Sequence, residues 1–303
     1  MTPWLHLVVL AFSKAAPLLL ASFGGLLSEV GGVINFSLEG MMLIGAFGAM
    51  WASFASGSPW VGLLGGALGG AIVGMIHATV SLKLKANQIV SSFAMNLMAA
   101  GITGTLLNQV FGIHGTSPAV PRLPGLAEAL SSILPRAGAW STVAGLPVLA
   151  PIALLLALCV TGFLRWTSSG LNLRACGENS LAASAAGIPV FRTRFLAVTA
   201  GGLLAGMGGA YLSIGVLSQF VEQMTQGRGY LAIAALILGR WRPSGVFAAA
   251  LFFGVTEALS EWLAVRWSNL PQQAFLALPY VVCFIVLACQ VGRTKPPSSL
   301  GRI

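Results

Sequence analysis

The stretch Trp60–Val80 reads WVGLLGGALGGAIVGMIHATV and contains no Asp, Glu, Lys or Arg. A helix of this length has no polar face for water, and at about 1.5 Å per residue it crosses a hydrocarbon layer about 30 Å thick. Similar runs occupy Trp4 to Leu27, Leu38 to Phe54, Asn87 to Phe111, Pro147 to Leu164, Phe195 to Val216, Ser244 to Leu263 and Ala274 to Val291. Backbone in lipid must satisfy its own hydrogen bonds, so a chain built this way folds as membrane helices. Only 8% of the 303 residues are charged, against about 25% in soluble domains. The expected fold is all-α: one polytopic unit over residues 1–303, with about nine transmembrane or re-entrant helices. The first run lacks a basic leader and an Ala-x-Ala site, so it reads as a retained span in which Lys14 snorkels to an interface.

Charge sets the expected orientation. The net charge is +9. In a membrane chain an excess of Lys and Arg belongs to cytoplasmic loops, so it does not point to nucleic acid. Lys83 and Lys85, Arg165 to Arg194, Arg240 and Arg242, and Arg293 to Arg302 fall on one side if the N-terminus is outside and the C-terminus cytoplasmic. The proline-rich loop 112–146, with a short helix over Leu126 to Leu134, is then extracytoplasmic. Cys159, Cys176, Cys283 and Cys289 read as small hydrophobes rather than disulfides. His6, His77 and His114 are scattered, so no metal site is expected, and His77 reads as interfacial. Asp is absent, which argues against a membrane enzyme, and no Gly-Lys pair offers a P-loop. No cofactor is expected on this chain. Any ATP that drives it binds another subunit.

Polar interruptions mark candidate pathway residues. Ser28–Gly40 places Gly31-Gly32 before Asn35, Ser37 and Glu39. The next polar cluster carries Asn87, Ser91 and Asn96. The segment Ser218–Gly229 carries Glu222, Thr225 and Gln226 ahead of an apolar run, Tyr230 to Gly239, that covers only about 15 Å. Irregular backbone at membrane depth is tolerated where it is buried or lines a wet cavity. Two readings stay open for Asn35, Ser37, Glu39, Asn87, Asn96, Glu222, Thr225 and Gln226: solute contact, or helix–helix hydrogen bonds worth about 0.6 kcal/mol each. Glu39 also suits the positive N-terminus of the second helix. Arg228 reads as an entrance residue or an anchor. Glu257 reads as solvated or ion-paired, beside Glu261 and Arg266. Gly62, Gly66, Gly70 and Gly74 recur every four residues and form a packing face. LEGMMLIGAFGAM and GRGYLAIAALILGR form a faint internal echo separated by an odd number of spans, which predicts two inverted halves.

The stretch 166–194 is polar enough to leave the membrane. Asn179 or Ser180 can cap a short helix, Gly187 and Pro189 can end it, and Leu181, Ala185 and Ile188 share one face.

SEVGGVINFSLEGMMLIGAFGA, LRACGENSLAASAAGIPV and GRGYLAIAALILGRWRPSGVFAAALFFG, in this order, resemble signatures of permease subunits of ABC importers for nucleosides and simple sugars, relatives of ribose and branched-chain amino acid permeases. Glu29-Val30-Gly31-Gly32, Ser180 and Ser184 depart from the common pattern of that family. The resemblance implies a multi-pass protein of the bacterial inner membrane, in contact with lipid. Its implied partners are a separate ABC ATPase, a second permease in a heterodimer and an extracytoplasmic substrate-binding protein. It also implies that 166–194 is a cytoplasmic coupling loop, with Arg174, Gly177, Glu178, Asn179, Ser180, Leu181, Ala182, Ala185 and Gly187 at the ATPase. Two alternatives are an ion-driven secondary transporter and an ABC permease for branched-chain amino acids.

Overall fold

Apolar runs without a water-facing stripe can bury themselves only against one another or in lipid, and the chain does both. A computed structural model describes residues 3–129, 145–267, 271–289 and 295–302. The helices are α1 (Pro3–Val30), α2 (Leu38–Ser56), α3 (Pro59–Ala78), α4 (Gln88–Phe111), α5 (Leu126–Ala129), α6 (Leu149–Trp166), α7 (Ser168–Glu178), α8 (Ser180–Ala185), α9 (Val190–Ala210), α10 (Arg228–Leu238), α11 (Pro243–Arg266), α12 (Gln272–Leu276) and α13 (Leu278–Cys289). Two π-helical segments, Thr79–Lys83 and Tyr211–Leu217, prolong α3 and α9. No strand occurs among the described residues.

Seven helical stretches are long and apolar enough to cross a membrane: His6–Val30, Leu38–Ser56, Pro59–Lys83, Gln88–Phe111, Leu149–Trp166, Val190–Leu217 and Pro243–Arg266. Two shorter apolar stretches, Arg228–Leu238 and Gln273–Cys289, stand beside these seven. The first is too short to span. The second is divided at Ala277, which closes α12 just ahead of Pro279 in α13. The helix expected over Leu126 to Leu134 is described as Leu126–Ala129, and its remainder lies outside the described residues.

α9 is the centre of the bundle, packed on α1, α2 and α3. Glycine makes this possible. A methyl group at Gly70 would strike the Gly202 carbonyl, one at Gly206 the Gly66 carbonyl, and one at Gly24 or Gly201 the carbonyl of the other. Of the four-residue ridge on α3, Gly62 and Gly66 meet α2 and Gly74 meets Val198 of α9. Backbones this close gain dispersion contacts that lipid cannot replace.

Four side chains sit differently from expectation. His77 is fully buried, not interfacial. The π-helical segment carries the chain further before Lys83, and the ring bonds Ser91 Oγ (3.2 Å) and the Ile34 carbonyl (3.0 Å). Lys14 does not end at an interface alone, because it pairs with Glu261 at 2.5 Å. Cys159 and Cys289 are exposed along apolar helices, and only Cys176 is fully buried. All four cysteines are free.

Glycine position sorts two substitutions. Gly70→Ala forces backbone apart and should cost about 1–3 kcal/mol, read as a lower thermal midpoint of the purified protein. Gly101, with nothing within 4 Å of an added methyl, should accept Ala and gain up to about 1 kcal/mol, because Ala is the better helix former.

Candidate functional site

The first interruption is a closed hydrogen-bonded knot. Asn35 is fully buried. Its amide donates to Ser28 Oγ (3.0 Å), and its carbonyl oxygen accepts from the Ser37 amide (3.2 Å) and the Ser37 hydroxyl (2.6 Å). Asn35 and Ser37 therefore hold the turn between α1 and α2. Asn87 is exposed and caps α4, accepting from the Ile89 and Val90 amides at 3.0 and 3.2 Å.

Glu39 does something that inspection of its own helix does not reveal. It sits in the first turn of α2, but its two carboxylate oxygens accept from the amides of Gly227 (2.8 Å) and Gly229 (2.7 Å) at the start of α10. Two helix N-termini, each carrying partial positive charge, thus converge on one carboxylate. A methyl at Gly229 would collide with the Glu39 backbone, which explains glycine there.

Asn96 ties α4 to the same junction. Its oxygen accepts from the Gly40 amide (2.8 Å), and its nitrogen donates to the Phe36 carbonyl (2.9 Å) and Tyr230 Oη (3.0 Å). Tyr230 stacks near Phe93, with ring centroids 6.4 Å apart, and both rings are exposed. The result is an aromatic platform with a polar edge, suited to a flat polar solute. Sequence reading missed Phe93 and Tyr230. A signal was available: Phe93 lies three residues before Asn96, on the same face of a helix, and Tyr230 follows the glycine at the short helix's start.

The other pathway candidates lie nearby. Glu222 Oε1 accepts from the Gly115 amide (3.0 Å), so it fastens the loop after α4 to the segment before α10. The same loop follows that segment through Ser117 N to the Phe220 carbonyl and Val120 N to the Ser218 carbonyl, each 2.8 Å. Thr225 is buried and Gln226 exposed, the latter at φ 47°. Arg228, read as an entrance residue or an anchor, and Glu257, read as solvated or ion-paired, form an ion pair with each other.

In the polar stretch, Thr167 caps α7 through the Gly170 amide (3.0 Å) and Asn179 caps α8 through the Ala182 amide (3.0 Å). Gly187, at φ 81°, ends α8. Arg174, Glu178, Leu181, Ala182 and Ala185 are exposed and Ser180 is half-buried. Leu181 and Ala185 do not face the protein; Ala183 does. Gly177 is buried, because its Cα lies against the Val30 carbonyl, and it is a packing residue.

Arg194, the last residue of the polar stretch, is buried. Its guanidinium donates to the carbonyls of Gly31 (2.8 Å), Cys176 (2.9 Å) and Arg302 (2.9 Å). It fastens the end of α1, the end of α7 and the C-terminal segment together. That segment also bonds Gly177 O through Ser299 N (2.8 Å), Gly32 O through Gly301 N (3.0 Å) and the Glu178 carboxylate through Ser298 Oγ (3.1 Å). Burial pushes the Cys176 thiol pKa up, with the Arg194 charge opposing. Among the described residues no group of His, Cys or acidic side chains could hold a metal ion.

The double cap at Glu39 is testable. Glu39→Gln keeps one acceptor oxygen and sets an NH2 group against the second amide. It should cost about 1–3 kcal/mol, the penalty of an unpaired buried donor, read as a fall in the thermal midpoint. Glu222→Gln keeps its one bond to Gly115 and should shift stability by no more than about 0.5 kcal/mol.

Comparison with known proteins now gives these interruptions a setting. The family described as branched-chain amino acid transport system, permease component, matches residues 7–287. The guanosine ABC transporter permease protein NupQ of Bacillus subtilis is 33% identical, over 95% of this chain and 92% of its own length. The nucleoside ABC transporter permease protein NupC of Lactococcus lactis is 35% identical over the same shares. The putative glucose ABC transporter permease protein TsgC13 of Haloferax volcanii is 36% identical over 93% of this chain and 90% of its own length. No solved structure matches the chain significantly. With a family match across nearly the whole bundle, the chain belongs to the branched-chain amino acid transport system permease components, membrane subunits of ABC transporters whose work is transport and not catalysis.

Proposed function

We propose that this chain is one of two permease subunits of a bacterial ABC importer of nucleosides, with simple sugars as the second substrate class. The observation that carries the reading is the exposed Phe93–Tyr230 platform edged by Asn96, on a chain similar throughout to permeases named for guanosine and nucleosides. A nucleoside is neutral, with a base to stack and hydroxyls and amines to bond. Aromatic rings beside an amide meet both needs without charge. The relative named for glucose supports the sugar alternative.

The face of α4 that bears Phe93 is open, and a second permease closes it to complete the path. Bacillus subtilis and Lactococcus lactis each have another, more distant relative, NupP and NupB, both 25% identical to this chain, which supports a heterodimer. The ATPase is a further subunit and docks on the exposed side of α8. Leu181, at 83% exposure, is the apolar residue it would cover. An extracytoplasmic binding protein delivers the solute. The tail lies against α7, and Lys85 lines a cleft with Leu300 and Gly301. The basic segments thus share one face, which supports a cytoplasmic C-terminus, a coupling loop over 166–194 and an extracytoplasmic loop over 112–146. The packing of α1 on α11 and of α9 on α3 follows a pairwise exchange of α1–α3 with α9–α11, which supports two inverted halves.

Membrane vesicles carrying the assembled importer should take up radiolabelled guanosine. Uptake should stop on ATP depletion and survive collapse of the proton and sodium gradients; the reverse pattern refutes the reading and selects a secondary transporter. Competition by leucine but not by adenosine or glucose selects an amino acid permease instead. Tyr230→Ala should lower uptake about tenfold, the equivalent of about 1.4 kcal/mol. At α8, Ala182→Trp or Glu178→Lys should leave the permease in the membrane but separate ATP hydrolysis from uptake; coupled transport at the normal rate in both variants would remove α8 as the docking element.

A further inference from the structure

Only Asn179 separates α7 from α8. The final carbonyls of a helix have no partner within it, and here the last three are all bonded from elsewhere in the chain. The Arg194 guanidinium donates to Cys176 O (2.9 Å), the Ser299 amide to Gly177 O (2.8 Å) and the Ser299 hydroxyl to Glu178 O (3.1 Å). The same two agents divide the carbonyls just beyond α1. Arg194 donates to Gly31 O (2.8 Å) and the Gly301 amide to Gly32 O (3.0 Å). Gly301, at φ 77°, leaves no room for a side chain, since an added methyl would lie 2.9 Å from Ile34 Cδ1. Ser299 is buried, while Lys295, Ser298 and Arg302 are exposed, so residues 295–302 lie along the surface as a strap. One end of the strap grips the residues directly ahead of α8. The other grips the turn directly ahead of the Asn35–Ser37 knot. Gly177 already touches the Val30 carbonyl. Such packing resists a push alone; hydrogen bonds hold a preferred distance and also resist a pull.

We propose that residues 295–302 are a positioning element for transport, with Ser299 as the central positioning residue. The strap makes α8 and the α1–α2 turn move as one body. A displacement of α8 by the ATPase, inward or outward, then reaches the turn that Asn35 and Ser37 hold, and biases the equilibrium between two arrangements of the path. The proposal rests on the reading of α8 as the docking element and names what carries its movement.

The test measures guanosine uptake and ATP hydrolysis together, by the assembled importer in proteoliposomes. Deletion of residues 298–303 removes the strap. Ser299→Pro removes the amide and hydroxyl donors alone, so it answers the question even if the deletion does not assemble. In both variants ATP hydrolysis should continue, and guanosine taken up per ATP should fall about fivefold, the scale of one lost hydrogen bond. The KM for guanosine should stay unchanged. Ser299→Thr keeps both donors and should keep the wild-type ratio. A strap that only stabilised the fold would lower the amount of assembled importer and leave uptake per ATP as in wild type; that result overturns the proposal. If Ala182→Trp separates hydrolysis from uptake in the same assay and the strap variants do not, the strap fails and docking on α8 stands. Normal coupling in all of these variants overturns the two together.

Discussion

Helix backbones that meet with nothing between them govern this fold. α9 touches α1, α2 and α3 through glycines whose missing side chains leave room for a neighbour's carbonyl, as at Gly70 against Gly202 and Gly24 against Gly201. In lipid there is no hydrophobic gain from bringing helices together, so close dispersion contact has to supply the association. A tight central cluster follows, with α4, α6 and α13 left largely exposed at the edges.

That rigid centre lets the chain break twice inside it. Each break frees amides that lipid cannot satisfy. The first is closed by Asn35, Ser37 and Ser28, the second by Glu39 reaching across from α2 to α10. One acid therefore links the two interruptions. Trp241, just beyond α10, bonds Glu29 at the end of α1 at 2.5 Å and adds a second link. Direct side-chain hydrogen bonds thus join the two interruptions.

Arg194 performs the corresponding task at the other end of α9. A buried guanidinium with three carbonyl partners holds the ends of α1 and α7 and the C-terminal segment in one place. The short helix α8, with Leu181 turned outward, is attached to this node through α7.

The apolar runs determined that the chain is a helical membrane protein, because no other arrangement satisfies so much backbone out of water. The glycine spacing on α3, the caps at Asn87 and Asn179, the glycine stop at Gly187 and the kinship with ABC permeases were equally legible, since each is a local pattern. What the residues could not decide were relations between distant segments. Glu39 read equally as a pathway acid or as a charge at its own helix's N-terminus, Arg194 as a loop cation and His77 as an interfacial residue. Each depends on which distant backbone arrives beside it. Only the packing of α9 among α1, α2 and α3 brings Gly227 to Glu39 and Arg302 to Arg194, because a carboxylate or a guanidinium takes its meaning from its partners and those partners come from elsewhere in the chain.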